Sequence, residues 1–152
     1  MGKMLIKQMK PQKNSHYHSG IVDPKCCHKY VNGKLKNEPA IYRSGLELQF
    51  MTYCENNPNI VKWASEPIEI PYKSRLDGKM HKYYPDFMFQ NKKGNIVIVE
   101  IKPENQTVKP DACDTLWLKE QWIKNVDKWN AAKEYAAKKG MKFILVTEKF
   151  FV

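Results

Sequence analysis

The stretch from Ile96 to Lys102 constrains the fold more than any other part of the chain. It reads Ile-Val-Ile-Val-Glu-Ile-Lys, so a run of β-branched residues ends in a carboxylate and an ammonium two positions apart. Such continuous apolar runs are typical of strands covered on both faces. Because side chains alternate across a strand, we expect Glu100 and Lys102 on one face and Ile101 on the other. The sequence therefore predicts a buried strand that carries two charges to one end of a sheet.

A second apolar segment, residues 83–89, precedes this strand and is joined to it by a polar turn containing Gly94. The pair predicts a hairpin of adjacent strands, with Asp86 on the strand that faces Glu100. Two close carboxylates repel each other unless a cation lies between them, and Mg²⁺ prefers oxygen ligands. A Mg²⁺ site at Asp86 and Glu100 is one interpretation. The other is a surface salt bridge between Glu100 and Lys102, without chemistry.

The residues Pro85-Asp86 and Glu100-Ile101-Lys102 resemble the PD-(D/E)XK motif of the restriction-endonuclease-like superfamily. This resemblance implies an α/β fold with a restriction-endonuclease-like core, a mixed β-sheet flanked by helices. It also implies a metal-dependent deoxyribonuclease that hydrolyses phosphodiester bonds, with Mg²⁺ as the cofactor and Mn²⁺ as a substitute. Asp86, Glu100 and Lys102 would be catalytic. The metal ligands would be Asp86, Glu100 and the carbonyl oxygen of Ile101.

A helix is predicted to start after Ser44, where Glu47 stands three residues on as in a capping box. Capping alone explains Glu47 without any chemistry. However, residues 43–47 also resemble a helix segment of the TnsA-type transposon endonucleases and of the phage Holliday-junction resolvases related to endonuclease I. That resemblance implies that Glu47 is a fourth catalytic residue and a metal ligand. A carboxylate near a helix start can serve both roles, because the helix N-terminus favours negative charge.

The remaining patterns predict further strands and one long helix. Strands are predicted at residues 60–63, 68–72 and 142–147, with a tight turn at Asp77-Gly78. The helix is predicted from Asp114 or Thr115 to about Lys139, with Gly140 as its C-cap. A strand, a long helix and a further strand favour a parallel crossover. Residues spaced by three and four predict one apolar face of the helix: Leu118, Trp122, Val126, Trp129, Ala132 and Ala136.

Charge and composition favour a polyanionic partner. The 152 residues include 26 Lys plus Arg against 16 Asp plus Glu, a formal charge of +10, which suits DNA. Residues 1–40 are basic and lack periodicity, so we predict an N-terminal arm or cap there, and a nuclease domain at 41–152. The arm is either a phosphate-contacting tail or a solvated terminus. No signal-peptide core or membrane-length apolar run is evident, which predicts an intracellular protein that is not secreted and has no membrane partner.

Four cysteines are present, and Cys26, Cys27 and His28 lie together. Their spacing does not match known zinc patterns, although a loosely held metal is left open. Reduced thiols are the simpler interpretation.

The chain contains an ordered set of segments at residues 42–44 with Glu47, and at 63–66, 70–72, 77–87 and 100–103. This set narrows the resemblance to the head-completion nucleases of T-even-type tailed phages. The resemblance implies an endonuclease acting in phage head completion after DNA packaging, in the host cytoplasm and with virion association left open. Portal, capsid or tail-joining proteins and a second copy of the chain are further partners to be considered. Two alternatives stay open: a non-catalytic DNA-binding or capsid-completion protein, and a Holliday-junction resolvase.

Overall fold

The computed structural model describes residues 20–22, 27–31 and 40–152. Two helices and eight strands form the fold of these residues, with short 3₁₀ turns at Glu104–Thr107 and Glu148–Phe151. The elements in chain order are β1 (Gly20–Ile21), β2 (Ile41–Tyr42), α1 (Gly45–Asn56), β3 (Ile60–Ser65), β4 (Ile70–Lys73), β5 (Met80–Tyr83), β6 (Phe87–Asn91), β7 (Ile96–Ile101), α2 (Leu116–Lys138) and β8 (Lys142–Val146).

The central sheet has four strands in the order β3-β6-β7-β8. The first three strands are antiparallel, whereas β8 runs parallel to β7. A parallel pair needs a long connection, and α2 supplies it. The predicted mixed sheet, its flanking helices and the parallel crossover are therefore confirmed.

The predicted hairpin forms, but its first strand is shorter than expected. Phe87 pairs with Val99, and Phe89 with Val97. The prediction that residues 83–89 make one continuous strand is wrong, because β5 ends at Tyr83 and β6 begins at Phe87. Pro85 has no N–H to donate to a ladder, so the chain leaves one sheet before it enters the next. Asp86 consequently lies in a bend just before β6 rather than within a strand.

The β4–β5 hairpin is a separate two-stranded sheet. Its first strand starts at Ile70, two residues later than predicted, and its turn has Gly78 at a φ of 70°. Such a left-handed conformation favours glycine, as the Asp77-Gly78 pattern predicted.

The two helices cover opposite faces of the central sheet. Phe50, Met51 and Cys54 of α1 pack in one cluster with Val99 and Ile101 of β7. Ala132 of α2 packs in another cluster with Ile70, Tyr72 and Tyr83 of the β4–β5 hairpin. Since side chains alternate along β7, Glu100 points to the α2 side while its neighbours point to α1.

The long helix α2 extends past the sheet that it covers. Its 23 residues span about 34 Å, whereas the 5 residues of β8 span about 17 Å. Only its second half is buried, through Trp129, Ala132 and Ala136, so the predicted apolar face is confirmed there alone. At the start, Trp117 is 65% exposed. Because a crossover helix runs back along its strands, this projecting start lies at the end of β7 that carries Glu100.

Two segments of the predicted N-terminal arm pack on the core. Gly20 pairs with Tyr42, and Val22 is fully buried. Further on, the buried carboxylate of Glu55 accepts the backbone N–H groups of His28 and Lys29. The rest of the arm, including Cys26, lies outside the described residues, so the metal hypothesis for Cys26, Cys27 and His28 and the boundary at residue 40 stay predictions. In the described chain, no helix is long and apolar enough to cross a membrane.

Candidate active site

Asp86 is fixed at the end of the central sheet by its own backbone and by β7. Its carbonyl oxygen accepts the N–H of Glu66 at 2.9 Å. Its side-chain Oδ2 accepts the backbone N–H of Ile101 at 2.8 Å. The preceding Pro85 is buried, which restricts the bend further. The carboxylate is thus held beside the last residues of β7 instead of pointing into solvent.

Glu100 is the buried partner of Asp86. It is 7% exposed, and its side chain is within hydrogen-bond distance of the Asp86 carboxylate. The hydroxyl of Tyr83 donates to Glu100 Oε2. Burial and the neighbouring Glu100 charge raise the pKa of Asp86 well above its usual value, and burial also raises the pKa of Glu100. The surface salt-bridge interpretation of Glu100 is therefore wrong, because the carboxylate is buried against a second acid.

Two lysines place positive charge beside this acidic pair. Lys102 follows β7 and is half-buried, with its backbone N–H bound to the carbonyl oxygen of Val146 in β8 at 3.0 Å. Lys128 approaches from α2, and its Nζ lies 5.6 Å from the centre of the Tyr83 ring. Burial, followed by the charge of Lys124, lowers the pKa of Lys128, while the charges of Glu100 and Asp86 act in the opposite direction.

Sequence reasoning did not identify Tyr83 and Lys128 as part of this site. Tyr83 precedes Pro85-Asp86 by two residues, and this closeness in sequence is the feature that could have indicated a role in the site. Lys128 is one of many lysines on a helix, and only the packing of α2 on the sheet brings it to Glu100.

Glu47 both caps a helix and interacts with an acidic residue of the candidate site, the two possibilities that the sequence left open. The hydroxyl Oγ of Ser44 accepts the N–H of Glu47 at 3.1 Å, and Glu47 Oε2 accepts the N–H of Arg43 at 3.0 Å. It therefore caps α1. Burial and the charge of Asp86 also raise the pKa of Glu47 to about 7, so the two carboxyls interact. Glu47 lies in the first turn of α1, whereas Glu100 interacts with Lys128 of α2.

An ion pair joins the residue before the N-cap of α1 to the residue after the end of β3. Arg43 Nη1 lies 2.7 Å from Glu66 Oε1. Glu66 has a φ of 45°, an uncommon conformation for a residue other than glycine, and its N–H is the donor to the Asp86 carbonyl. Through this backbone hydrogen bond, Glu66 connects the end of β3 to the bend at Asp86. No local pattern in the sequence indicates this role.

The donor groups fit Mg²⁺. Among the residues described, no three His, Cys, Asp or Glu side chains are grouped to hold a metal ion. Mg²⁺ does not need such a cage, because it is usually bound by one or two carboxylates, several waters and substrate phosphates. Asp86 and Glu100 supply two carboxylates in contact. The N–H and carbonyl of one strand residue point the same way, so the Ile101 carbonyl faces the same side as its N–H to Asp86.

Comparison with known proteins identifies the family. Residues 57–148 match the family described as the TnsA-like endonuclease N-terminal domain. The chain belongs to this family. It is also 36% identical over 140 residues to the head completion nuclease of Enterobacteria phage T4, a match that covers 86% of this chain and 91% of that relative. These findings confirm the resemblance and the predicted fold class.

Membership of the TnsA-like endonuclease family makes this chain a DNA endonuclease. The family match contains Asp86, Glu100 and Lys102, whereas Glu47 precedes it. The individual roles of these four residues stay predictions, supported by their convergence at one end of the sheet.

The raised carboxyl pKa values predict how stability changes with pH in the metal-free TnsA-like domain. A folded pKa above the unfolded value gives stability that is complete below the unfolded pKa of about 4.5 and is lost as pH rises through the folded value, about 7 for Glu47. We expect the free energy of unfolding to fall between about pH 5 and about pH 8. Glu47→Gln should reduce that fall, because glutamine cannot ionise yet keeps an oxygen for the N–H of Arg43.

Urea unfolding at several pH values, in chelator, measures this effect. The exposed Glu69 provides a matched control. In Glu69→Gln, the free energy of unfolding should change with pH as it does in the wild type. If the free energy of unfolding falls equally with pH in the wild type and in Glu47→Gln, ionisation of Glu47 is not the cause of the fall.

Proposed function

We propose that this chain is a Mg²⁺-dependent DNA endonuclease that acts in phage head completion, after DNA packaging and inside the infected host cell. The observation that carries the chemical part is the contact between the Asp86 and Glu100 carboxylates, with Lys102 beside them. Endonucleases of this type typically depend on a divalent metal. The name of the T4 relative, head completion nuclease, supports the biological part.

Asp86 and Glu100 would hold the metal, with the Ile101 carbonyl as a third oxygen. A bound Mg²⁺ supplies positive charge to the phosphate oxygens and lowers the pKa of a bound water. The chain fixes both carboxylates in advance, since Ile101 donates to Asp86 and Tyr83 donates to Glu100. Such preorganised groups cost little reorganisation during the reaction.

The lysines and Glu47 have complementary roles in this proposal. Lys102 Nζ orients the attacking water and offsets the negative charge that develops on the phosphate in the transition state. Lys128 adds a second positive charge from the α2 side. Glu47, with a pKa of about 7, can take up a proton near neutral pH and completes the acidic side of the site.

Lys102→Met tests the proposal directly. We expect Mg²⁺-dependent nicking of supercoiled plasmid to fall by about 10²–10³-fold, the usual loss for one electrostatic catalyst. Affinity for DNA should change little, because many Lys and Arg contacts to phosphates share it. Nicking rates and fluorescence anisotropy of labelled duplex, the latter in Ca²⁺, separate the two effects.

The matched control is Lys138→Met, in the last turn of α2 at the other end of the sheet, which should cut as the wild type does. Full activity of Lys102→Met would remove Lys102 from the reaction. Equal nicking by the wild type in Mg²⁺ and in chelator would contradict metal dependence. Tight DNA binding without cleavage in any divalent metal would favour the non-catalytic alternative.

The substrate partner is DNA, and the formal charge of +10 supports its recruitment. The junction-resolvase alternative, the homodimer and the portal, capsid or tail-joining partners stay predictions. Cleavage of a four-way junction compared with a plain duplex of the same sequence separates a resolvase from a general endonuclease.

A further inference from the structure

A groove of about 540 Å³ runs from the proposed catalytic lysine along the projecting start of α2. One wall is the loop that follows β7, and the other is the first three turns of the helix. The volume is typical of a site for a small organic group and too small for a duplex. The side chains that matter here are Lys102, Gln106, Trp117, Gln121, Trp122 and Asn125.

We propose that this groove binds unpaired bases of the DNA strand next to the cleaved bond, so that the preferred substrate has a single-stranded segment beside the scissile phosphate. This inference specifies the substrate of the proposed endonuclease. It rests on the proposed function, which places the scissile phosphate at Lys102.

The position of the groove follows from the fold. The parallel crossover returns α2 alongside β7, so its start stands next to the end of β7 that bears Glu100 and Lys102. Lys102 lines both the proposed active site and the groove. A strand whose phosphate lies at Lys102 therefore has its neighbouring nucleotides at the mouth of the groove.

The side chains of the groove suit base faces and base edges. Trp117 is 65% exposed, although burial would stabilise so large an apolar group. Trp122 is held by an edge-to-face contact with Trp129, with 5.7 Å between ring centres. Stacking on aromatic side chains accepts any base, and the amides of Gln106, Gln121 and Asn125 can bind base edges.

The charges of the groove favour bases over a track of phosphates. Lys102 and Lys109 line it, but Asp111 and Asp114 do so as well. A path for a duplex backbone would carry an excess of positive charge. Here the balance is even, so the backbone would remain near the lysines while the bases turn inwards.

The loop wall is fixed by its own hydrogen bonds. Asp114 Oδ2 accepts the N–H of Asp111 at 2.6 Å, and Lys119 Nζ donates to the carbonyl of Ala112 at 2.6 Å. These contacts tie the loop to the first turns of α2. A wall that is already formed reduces the ordering cost of binding.

Binding measurements in chelator test the inference without any cleavage. Wild type, Trp117→Ala and Trp117→Phe are titrated with a labelled blunt duplex, with a forked duplex of the same sequence and with its single strand, at one fixed salt concentration. Trp117→Ala should weaken binding to the fork and the single strand by about 5- to 150-fold, the range for loss of one stacked base. The blunt duplex should bind as before, and Trp117→Phe should retain most of the affinity.

The control is Val61→Ala, at a valine of β3 that is 46% exposed, which should bind all three DNAs as the wild type does. An equal loss on fork and blunt duplex would overturn the inference, as would no loss on either. Binding in chelator is measured independently of cleavage. A wild type that shows the fork preference there, but cuts no DNA in any divalent metal, would reject the proposed function while the groove assignment survives.

Discussion

Asp86→Asn is expected to reduce Mg²⁺-dependent nicking of plasmid by at least about 10²–10³-fold. Asn keeps the shape and an oxygen for the N–H of Ile101, so the bend before β6 should form normally. What it loses is the negative charge that, together with Glu100, would attract the metal. Cleavage rates at saturating DNA measure the loss, and anisotropy in Ca²⁺ shows whether DNA binding persists.

The same substitution should make the metal-free protein more stable near neutral pH. Two carboxyls in contact repel each other when both are ionised, and Asn removes one of the charges. Mg²⁺ should raise the melting temperature of the wild type but not that of Asp86→Asn. Lower activity together with lower stability would instead indicate that Asp86 serves the fold. Asp77→Asn, in the β4–β5 turn, is the control for nicking and for the Mg²⁺ effect on the melting temperature, and both should match the wild type. It should not raise stability, because the Asp77 carboxylate accepts the N–H of Lys79 and pairs with His81.

Glu55→Ala is expected to lower the free energy of unfolding by about 3 kcal/mol. Glu55 is 6% exposed, and its carboxylate accepts three hydrogen bonds. One of these comes from Trp63 Nε1 at 2.9 Å, and Trp63 is itself buried. Removing the acceptor leaves a buried donor without a partner and also releases the backbone of His28 and Lys29 from α1.

Urea denaturation measures this change. Glu55→Gln should fall between the wild type and Glu55→Ala, because one oxygen remains but an NH₂ group replaces the other. The exposed Glu69, 3.3 Å from Lys82, is the control, and Glu69→Ala should cost no more than about 0.5 kcal/mol. A loss of similar size at both positions would show that the three hydrogen bonds of Glu55 contribute little.

Short stretches of neighbouring residues were sufficient to predict β7 and the ends of both helices. The apolar run at 96–101 forms β7, and Ser44 and Thr115 cap the two helices through their side chains. Gly140 has a φ of 69°, as expected for a residue just past a helix end. These features depend on neighbouring residues, so the sequence alone is sufficient for them.

Features that depend on distant packing were not predictable. The break at Pro85 places Tyr83 and Phe87 in different sheets, although the predicted strand at residues 83–89 contained both. Glu55 looked like an ordinary polar residue near a helix end, because its three donors come from other segments. The Asp86–Glu100 contact was expected from the hairpin, whereas Lys128 reaches the pair only through the position of α2.

The hydrogen bond between the N–H of Lys102 and the carbonyl of Val146 has a consequence for biosynthesis. This bond aligns the backbone of Lys102 with β8, which follows Lys102 in the chain only after the whole of α2. When residues 100–102 leave the ribosome, β8 has therefore not yet been synthesised. We expect nascent chains that lack β8 to be inactive, so that DNA near the ribosome is not cut by incomplete enzyme.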